Sequence, residues 1–203
     1  MVEFMTESTV SPVYPVRLTI DFPDRDLNRV TSAFRVFTAI PVMILVSLIG
    51  GSSSTGLLTL PLGLMLLFRR KYPRWWFDWH LQLIRFQTRA LSYALLLDDQ
   101  YPSSDDTQGV HLEMDYPVAS RDLNRWLPLV KWLLAIPHYI VLIILWIAVI
   151  FSSIGAWFAI LFTARYPRTL FAFIVGVLRW QNRVMGYAFT LLTDRYPPFR
   201  LTP

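Results

Sequence analysis

Cysteine is absent from the 203 residues, which removes disulfides, thiolate metal sites and cysteine nucleophiles together. Charge is scarce: Asp, Glu, Lys and Arg make up 16% of the chain against 54% apolar residues, with a mean hydropathy of +0.42. Its distribution says more than its amount. From Val36 to Phe68, and again from Trp132 to Ala164, there is no Asp, Glu, Lys or Arg. Each run is 33 residues long, and as helix each extends about 50 Å at ~1.5 Å per residue. A bilayer crossing takes about 20 residues, so each run is too long for one crossing and short for two generous ones. A tight helical hairpin, spanning or re-entrant, is the expectation. The first turns at Gly50-Gly51-Ser52-Ser53-Ser54-Thr55-Gly56, the second at Trp146 to Ile150 or Ser152 to Gly155.

Histidine is scarce too. His80, His111 and His138 fall on different elements, and no two have metal-ligand spacing with a carboxylate, so no metal and no cofactor are expected. A single His138 in a hydrophobic helix is more often a hydrogen-bonded structural residue than an axial ligand. There is no Gly-x-Ser-x-Gly, Walker loop or Gly-x-Gly-x-x-Gly after a strand, which argues against an enzyme, including one acting on lipids. Neither charge-free run holds an acid, which counts against ion-coupled transport. The net charge of +5 and pI near 9.7 would suggest nucleic acid in a soluble protein; here the positive-inside bias accounts for the excess.

The sequence repeats itself. Arg17-Leu18-Thr19-Ile20-Asp21-Phe22-Pro23 matches His111-Leu112-Glu113-Met114-Asp115-Tyr116-Pro117, and Arg25-Asp26-Leu27-Asn28-Arg29 matches Arg121-Asp122-Leu123-Asn124-Arg125. Ala39-Ile40-Pro41 matches Ala135-Ile136-Pro137, Tyr72-Pro73-Arg74 matches Tyr166-Pro167-Arg168, and Arg85 with Arg89 matches Arg179 with Arg183. The closing segments around Asp98-Asp99 and Asp194 match as well. Such ordered self-similarity predicts two units, at 16–102 and 111–199, joined by a polar linker at 103–110. A flexible N-terminal tail precedes them at 1–15 and a short C-terminal tail follows at 200–203. With an even number of crossings in each, the units are expected to be parallel, related by an axis along the membrane normal.

Within a unit, alternation predicts a short strand at 17–21 and at 111–115, and the two can pair with each other outside the membrane. Asp24 and Ser120 are the expected N-caps of the following helices. The hydrophobic helices enter at Thr31 or Leu127, carry Arg35 or Lys131 one turn inside, close enough to snorkel toward headgroups, and are expected to kink at Pro41 and Pro137. The turns are uncharged, while Arg69, Arg70, Lys71 and Arg74, and Arg165 and Arg168, lie at the exits. Both termini are therefore expected in the cytoplasm. From Trp75 to Leu97, Asp78, Gln82, Arg85, Arg89 and Ser92 form one polar stripe on an otherwise apolar helix. Arg179, Asn182, Arg183 and Gly186 form a shorter version. Such a helix is expected in the membrane interface, stripe toward headgroups, with Trp75, Trp76, Trp79 and Trp180 as anchors; a buried helix facing a polar groove is the alternative.

Taken together, the Tyr14-Pro15-Val16 and Asp21-Phe22-Pro23 opening, Arg25-Asp26-Leu27-Asn28-Arg29, Ala135-Ile136-Pro137-His138, Trp157 to Thr163, Arg165-Tyr166-Pro167-Arg168, Val177-Leu178-Arg179-Trp180 and the closing Asp194 to Phe199 resemble a bacterial membrane-protein family, domain of unknown function 4389. The likeness spans nearly the whole chain and is closest in the second unit; in the first, Val42 replaces the histidine. The resemblance implies a membrane location and supplies no activity or catalytic residues.

The expected fold is thus mostly α and membrane-integral, in two parallel repeats of strand, transmembrane hairpin and amphipathic interfacial helix. The expected function is a non-enzymatic accessory or scaffold protein of the bacterial inner membrane, binding anionic phospholipids and another membrane protein. Arg85, Arg89, Arg179, Arg183, Arg35 and Lys131 would contact headgroups or an acidic partner. The alternative is a small carrier or channel for lipids or hydrophobic molecules, its path lying between the units.

Overall fold

The computed structural model describes residues 14–24, 26–54, 59–103, 106 and 108–202. Strands β1 (Val16–Ile20) and β2 (Val110–Met114) pair antiparallel, Val16 opposite Met114, Leu18 opposite Leu112 and Ile20 opposite Val110. The period of two sorts their side chains. Val16, Leu18, Ile20, Val110, Leu112 and Met114 are buried, while the other face carries Arg17, Thr19, His111 and Glu113. There Arg17 reaches Glu113 (3.2 Å) and Asp115 (2.8 Å), and His111 meets Asp21 (3.3 Å). The two strands do pair with each other, as the alternation allows. Of the tail expected at 1–15, residues 1–13 lie outside those described; Tyr14 is buried and its hydroxyl donates to Arg195 O at 3.2 Å.

Helix α1 (Arg29–Ala33) is capped by Asn28, whose side chain accepts from the Val30 and Thr31 amides. Asp24 does not cap it but pairs with Arg168 at 3.3 Å. Ser120 does not cap either, lying inside the short α5 (Ala119–Asp122) after N-cap Val118. The chain continues with α2 (Arg35–Ser54), α3 (Thr59–Arg69) and α4 (Arg74–Ala94). After β2 and α5 come a 3-10 turn at Leu127–Leu129, then α6 (Lys131–Leu134), α7 (Ile136–Thr163) and α8 (Arg168–Ala188).

Two expectations about the hydrophobic runs change. α2 continues helically through Ser54, so any turn there begins later, at residues outside those described. The second run contains no hairpin: α7 is one continuous helix of 28 residues, about 42 Å long at ~1.5 Å per residue. The physical reason is composition. A single Gly155 costs a helix only about 1 kcal/mol, which the long apolar run around it absorbs. Pro41 does lie inside α2, but Pro137 opens α7, where a missing amide is harmless and the fixed φ is favourable. By length and composition α7, with a mean hydropathy of 2.5 over its best window, is the one helix among the described residues that can cross a membrane.

The elements form layers. β1 packs on α8 and β2 on α4; α2 packs on α4 and α7 on α8. α8 is therefore flanked on two sides. Arg179 and Gly186, seven residues apart and so on one face, meet β1: Arg179 donates to Leu18 O at 3.0 Å, and Gly186 lies against Val16 so closely that a Cβ would sit 2.6 Å from its methyl. At the other end Phe22 packs edge-on to Phe171 at 5.0 Å. Leu170, Trp180 and Gln181 turn the other way and meet Gly155, His138 and Trp146 of α7. The ribbon and α7 thus run along opposite sides of the same helix for most of its length.

Candidate functional site

The cations that begin the hydrophobic helices point inward. Arg35 is 1% exposed and Lys131 fully buried. Arg35 pairs with Asp99, donates to Asp98 O at 2.9 Å and lies 4.2 Å from the Tyr93 ring centre. Lys131 pairs with Asp194 at 2.7 Å, donates to Thr193 O at 2.8 Å and lies 5.2 Å from the Tyr187 ring. Burial pulls the Lys131 ammonium below its ordinary value, and Asp194 opposes the shift. Neither cation snorkels outward: each turns inward to a part-buried carboxylate just past the end of a striped helix.

The stripe arginines also face the protein. Arg85 donates to Leu112 O at 2.9 Å and Arg179 to Leu18 O, so α4 holds β2 and α8 holds β1. Arg89 donates to Ser103 O at 2.7 Å, and Arg183 to Arg200 O at 3.3 Å and Thr202 O at 2.9 Å, which docks the C-terminal residues. Burial lowers Arg179 and Arg183 from their ordinary values, with repulsion from Arg200 adding at Arg183. The arginines of both stripes are therefore turned to the protein's own backbone. The ribbon, Ser103 and residues 200–202 supply the carbonyls that these guanidinium groups satisfy. Trp180 is no surface anchor: it is buried, and its indole N–H donates to His138 Nδ1 at 3.1 Å. His138, fully buried, stacks on Phe199 at 4.0 Å. Among the described residues no group of three His, Cys, Asp or Glu is arranged to hold a metal.

What stays at the surface is a set of cations at the helix junctions and one uncovered apolar layer. Arg69, Arg70, Lys71, Arg74, Arg165 and Arg168 are exposed, as are Trp75 and Trp79, with Trp76 half-buried. In the second half these cations are neutralised, Arg165 by Asp26 (3.2 Å) and Arg168 by Asp24 (3.3 Å). In the first, Arg74 pairs with Asp78 at 3.5 Å, whereas Arg69, Arg70 and Lys71 have no carboxylate partner among the described residues. These three line a recess of about 470 Å³ with Met65, Trp75, Tyr116 and Ser120. Three unneutralised cations beside an indole suit an anionic headgroup, with its phosphate on the cations and its chains beside the ring. Apolar side chains are uncovered on the outer face of α7 and also on α2 and α3. Ile143, Ile144, Ile147, Ile150, Phe151 and Ile154 are 49–69% exposed, and Val36, Phe37, Leu48, Leu60 and Phe68 continue the pattern at 65–79%.

The sequence missed three features. Asp99 and Asp194 were visible as acids at helix ends, yet nothing local assigned them to cations more than sixty residues away. Tyr72 and Tyr166 cross between halves, donating to Thr190 O (2.7 Å) and Leu95 O (3.3 Å); their recurrence in Tyr-Pro-Arg was the available signal. Arg125 donates to Leu67 O, and nothing in its motif marked it out from Arg29.

By fold and site, this is a mostly helical protein with a small two-stranded sheet, one long apolar helix and a basic recess beside an uncovered apolar layer. Residues 126–200 match a family described as a domain of unknown function, DUF4389, in a single stretch. No curated protein and no solved structure matches the chain.

Proposed function

We propose that the chain is a non-enzymatic accessory protein embedded in one face of the bacterial inner membrane from the cytoplasmic side, holding anionic phospholipid and docking a second membrane protein. The observation that carries the reading is the Ile and Phe face of α7, uncovered along a helix of 28 residues, far more contiguous apolar surface than a water-soluble monomer exposes. Its placement opposite the ribbon supports an in-plane orientation over a crossing. Were α7 to stand upright, the ribbon alongside α8 would stand with it, setting Arg17, Glu113 and Asp115 at membrane depth, where charges are expensive. Lying flat, α2, α3 and α7 sink into acyl chains while the charged ribbon stays in water. In this orientation both termini lie in the cytoplasm without any crossing.

The reading takes the chain as two copies of one unit. It is supported by contacts that recur at matching positions: Arg35–Asp99 and Lys131–Asp194, Arg85–Leu112 and Arg179–Leu18, Tyr72–Thr190 and Tyr166–Leu95. The antiparallel ribbon, centred on Leu18 opposite Leu112, supplies a local two-fold axis between them. The lipid role is supported by the recess at Arg69, Arg70 and Lys71. The partner role is supported by Trp75 and Trp126, 67% and 64% exposed at the edges of the apolar layer, the residue type that anchors interfaces and headgroup belts alike.

The absence of native cysteine makes the test clean. Single cysteines replacing Trp126, Glu113, Ile147 and Arg165 are reacted with a membrane-impermeant maleimide in sealed cells and in inverted vesicles. The in-plane reading expects Trp126→Cys, Glu113→Cys and Arg165→Cys to react only in inverted vesicles, and Ile147→Cys to be protected in both. Labelling of Trp126→Cys and Arg165→Cys from opposite sides sinks the orientation, and release of the protein by alkaline carbonate without detergent sinks the membrane reading altogether. Replacing Arg69, Arg70 and Lys71 together by Gln should weaken binding to phosphatidylglycerol vesicles by about 1 kcal/mol per cation; unchanged binding removes the lipid role from that recess.

A further inference from the structure

The chain matches itself in sequence, and its two Tyr-Pro-Arg motifs fix the register across the end of each apolar run. Counting back nine residues from Tyr166 gives Trp157, and nine from Tyr72 gives Gly63 (166 − 9 and 72 − 9). Trp157 is partly buried where α7 packs on α1, and its indole N–H donates to Ser32 O at 3.0 Å. Ser32 lies four residues after Asn28, and the residue four after Asn124 is Pro128. The corresponding place in the other half therefore has Gly63 on α3 facing Pro128 in the 3-10 turn. There the side chain is missing and nothing replaces it. A Cβ built on Gly63 meets no heavy atom within 4 Å, and a cavity of about 460 Å³ opens between α3, Pro128, Trp132 and Phe189.

The walls and the mouth of this groove define its ligand. Leu60, Leu64, Leu129 and Trp132, 53–65% exposed, make its apolar rim, and its one side-chain hydroxyl, on Thr59, is committed to Phe189 O at 2.9 Å. Arg125 stands at the end, its Nε donating to the carbonyl of groove-lining Leu67. No carboxylate pairs with Arg125 among the described residues, so its terminal nitrogens can take a phosphate. An apolar slot of this size with a guanidinium at one end matches a lipid, chain in the slot and headgroup phosphate on the cation. We propose that the groove at Gly63 is a binding site for one acyl chain of an anionic phospholipid, held at its phosphate by Arg125, and that Trp157 closes the matching position in the other half. The inference rests on the membrane reading above and is separate from the recess at Arg69, Arg70 and Lys71.

The test is native mass spectrometry of the full chain released from nanodiscs of equal phosphatidylglycerol and phosphatidylcholine. The wild-type protein should retain one phosphatidylglycerol through activation that strips bulk lipid. Gly63→Trp, which fills the groove from the side that has room, should lower that occupancy about tenfold, equivalent to about 1.4 kcal/mol, while its Tm stays at the wild-type value. Trp157→Gly, which opens the second position, should add a further retained lipid. Arg125→Gln should abolish the preference for phosphatidylglycerol over phosphatidylcholine while a lipid is still retained. If folded Gly63→Trp keeps the wild-type lipid count, the groove assignment is overturned. Should Gly63→Trp fail to fold, Arg125→Gln decides alone: an unchanged preference overturns the proposal. Carbonate extraction of the wild-type chain, run alongside, reports on the membrane reading independently, since the protein can resist extraction and yet bind nothing at Gly63.

Discussion

The first half of the molecule and the second solve one packing problem with different side chains. Each begins its hydrophobic run on a buried cation paired to an acid at the end of the striped helix. Each ends the run on a residue of positive φ, Arg70 at 48° and Ala164 at 58°, where the chain turns back into a Tyr-Pro-Arg segment. Between these fixed points they diverge. Arg35 stands where Lys131 does, Val42 and Phe86 where His138 and Trp180 do, His80 where Ile174 does, and Gly63 where Trp157 does. The termini of the elements are therefore the constrained part, and the middle of each apolar run admits exchange provided volume and hydrogen bonding change together.

The cation pairs offer the hardest test of that view. Replacing Arg35 by Met strands Asp99, whose side chain is 14% exposed, and replacing Lys131 by Met strands Asp194, which is 21% exposed. Loss of one partner of a buried pair costs about 3 kcal/mol or more, so both variants should lose a large part of their thermal stability in mild detergent. Arg35→Met should lose more, because the more buried acid has less water to fall back on. Arg35→Lys, by contrast, should stay close to wild type, since the other half works with lysine. Equal and small losses for both Met variants would show that the pairs are incidental to the fold.

A smaller effect separates the middle layers. Trp180→Phe removes the donor to His138 Nδ1 and should cost about 1 kcal/mol, the net value of a buried hydrogen bond. His138→Val combined with Trp180→Phe recreates the apolar pair Val42 and Phe86, and the double variant should lose less than the sum of the two single ones. Strict additivity in denaturant or thermal unfolding would break the correspondence between the two sites.

The smallest expected effect is a difference in pH response. His80 is 6% exposed, with Nδ1 against Trp76 O at 3.2 Å, and burial lowers its pKa from the ordinary 6.5. The folded state thus binds this proton less readily than the unfolded chain. The stability linked to His80 is present in full above about pH 6.5 and is lost as pH falls toward the lowered folded value. His80→Ile, which installs the residue of the matching position, should flatten the slope of Tm against pH below 6.5. An unaltered slope would assign the acid sensitivity elsewhere.

Much of this architecture was legible from residues close together in sequence. The alternation at 17–21 and 111–115 specified two strands with one buried face, and the three- and four-residue spacing of the stripes specified α4 and α8. Length misled where it stood in for chemistry: 33 uncharged residues suggested a hairpin twice, yet α7 runs through the second without a turn, and α2 stays helical through Gly50 to Ser54 of the first. The destinations of the arginines were illegible for a different reason. A guanidinium four residues from another looks the same whether it will meet a phosphate or a backbone carbonyl, and the carbonyls that claim Arg85 and Arg179 belong to strands 27 and 161 residues away. Only the tertiary arrangement decides between them.

The crosswise grip on the ribbon also dictates an order of events during synthesis. β1 is made early, but Met114, opposite Val16, emerges about a hundred residues later, and Arg179, which grips Leu18, later still. Until then the apolar flank of β1 has no finished counterpart. A nascent chain in that condition must be sheltered by lipid or by a chaperone, because contacts so distant in sequence close slowly and leave sticky surface exposed meanwhile. The strand made first is thus among the last to be locked in place.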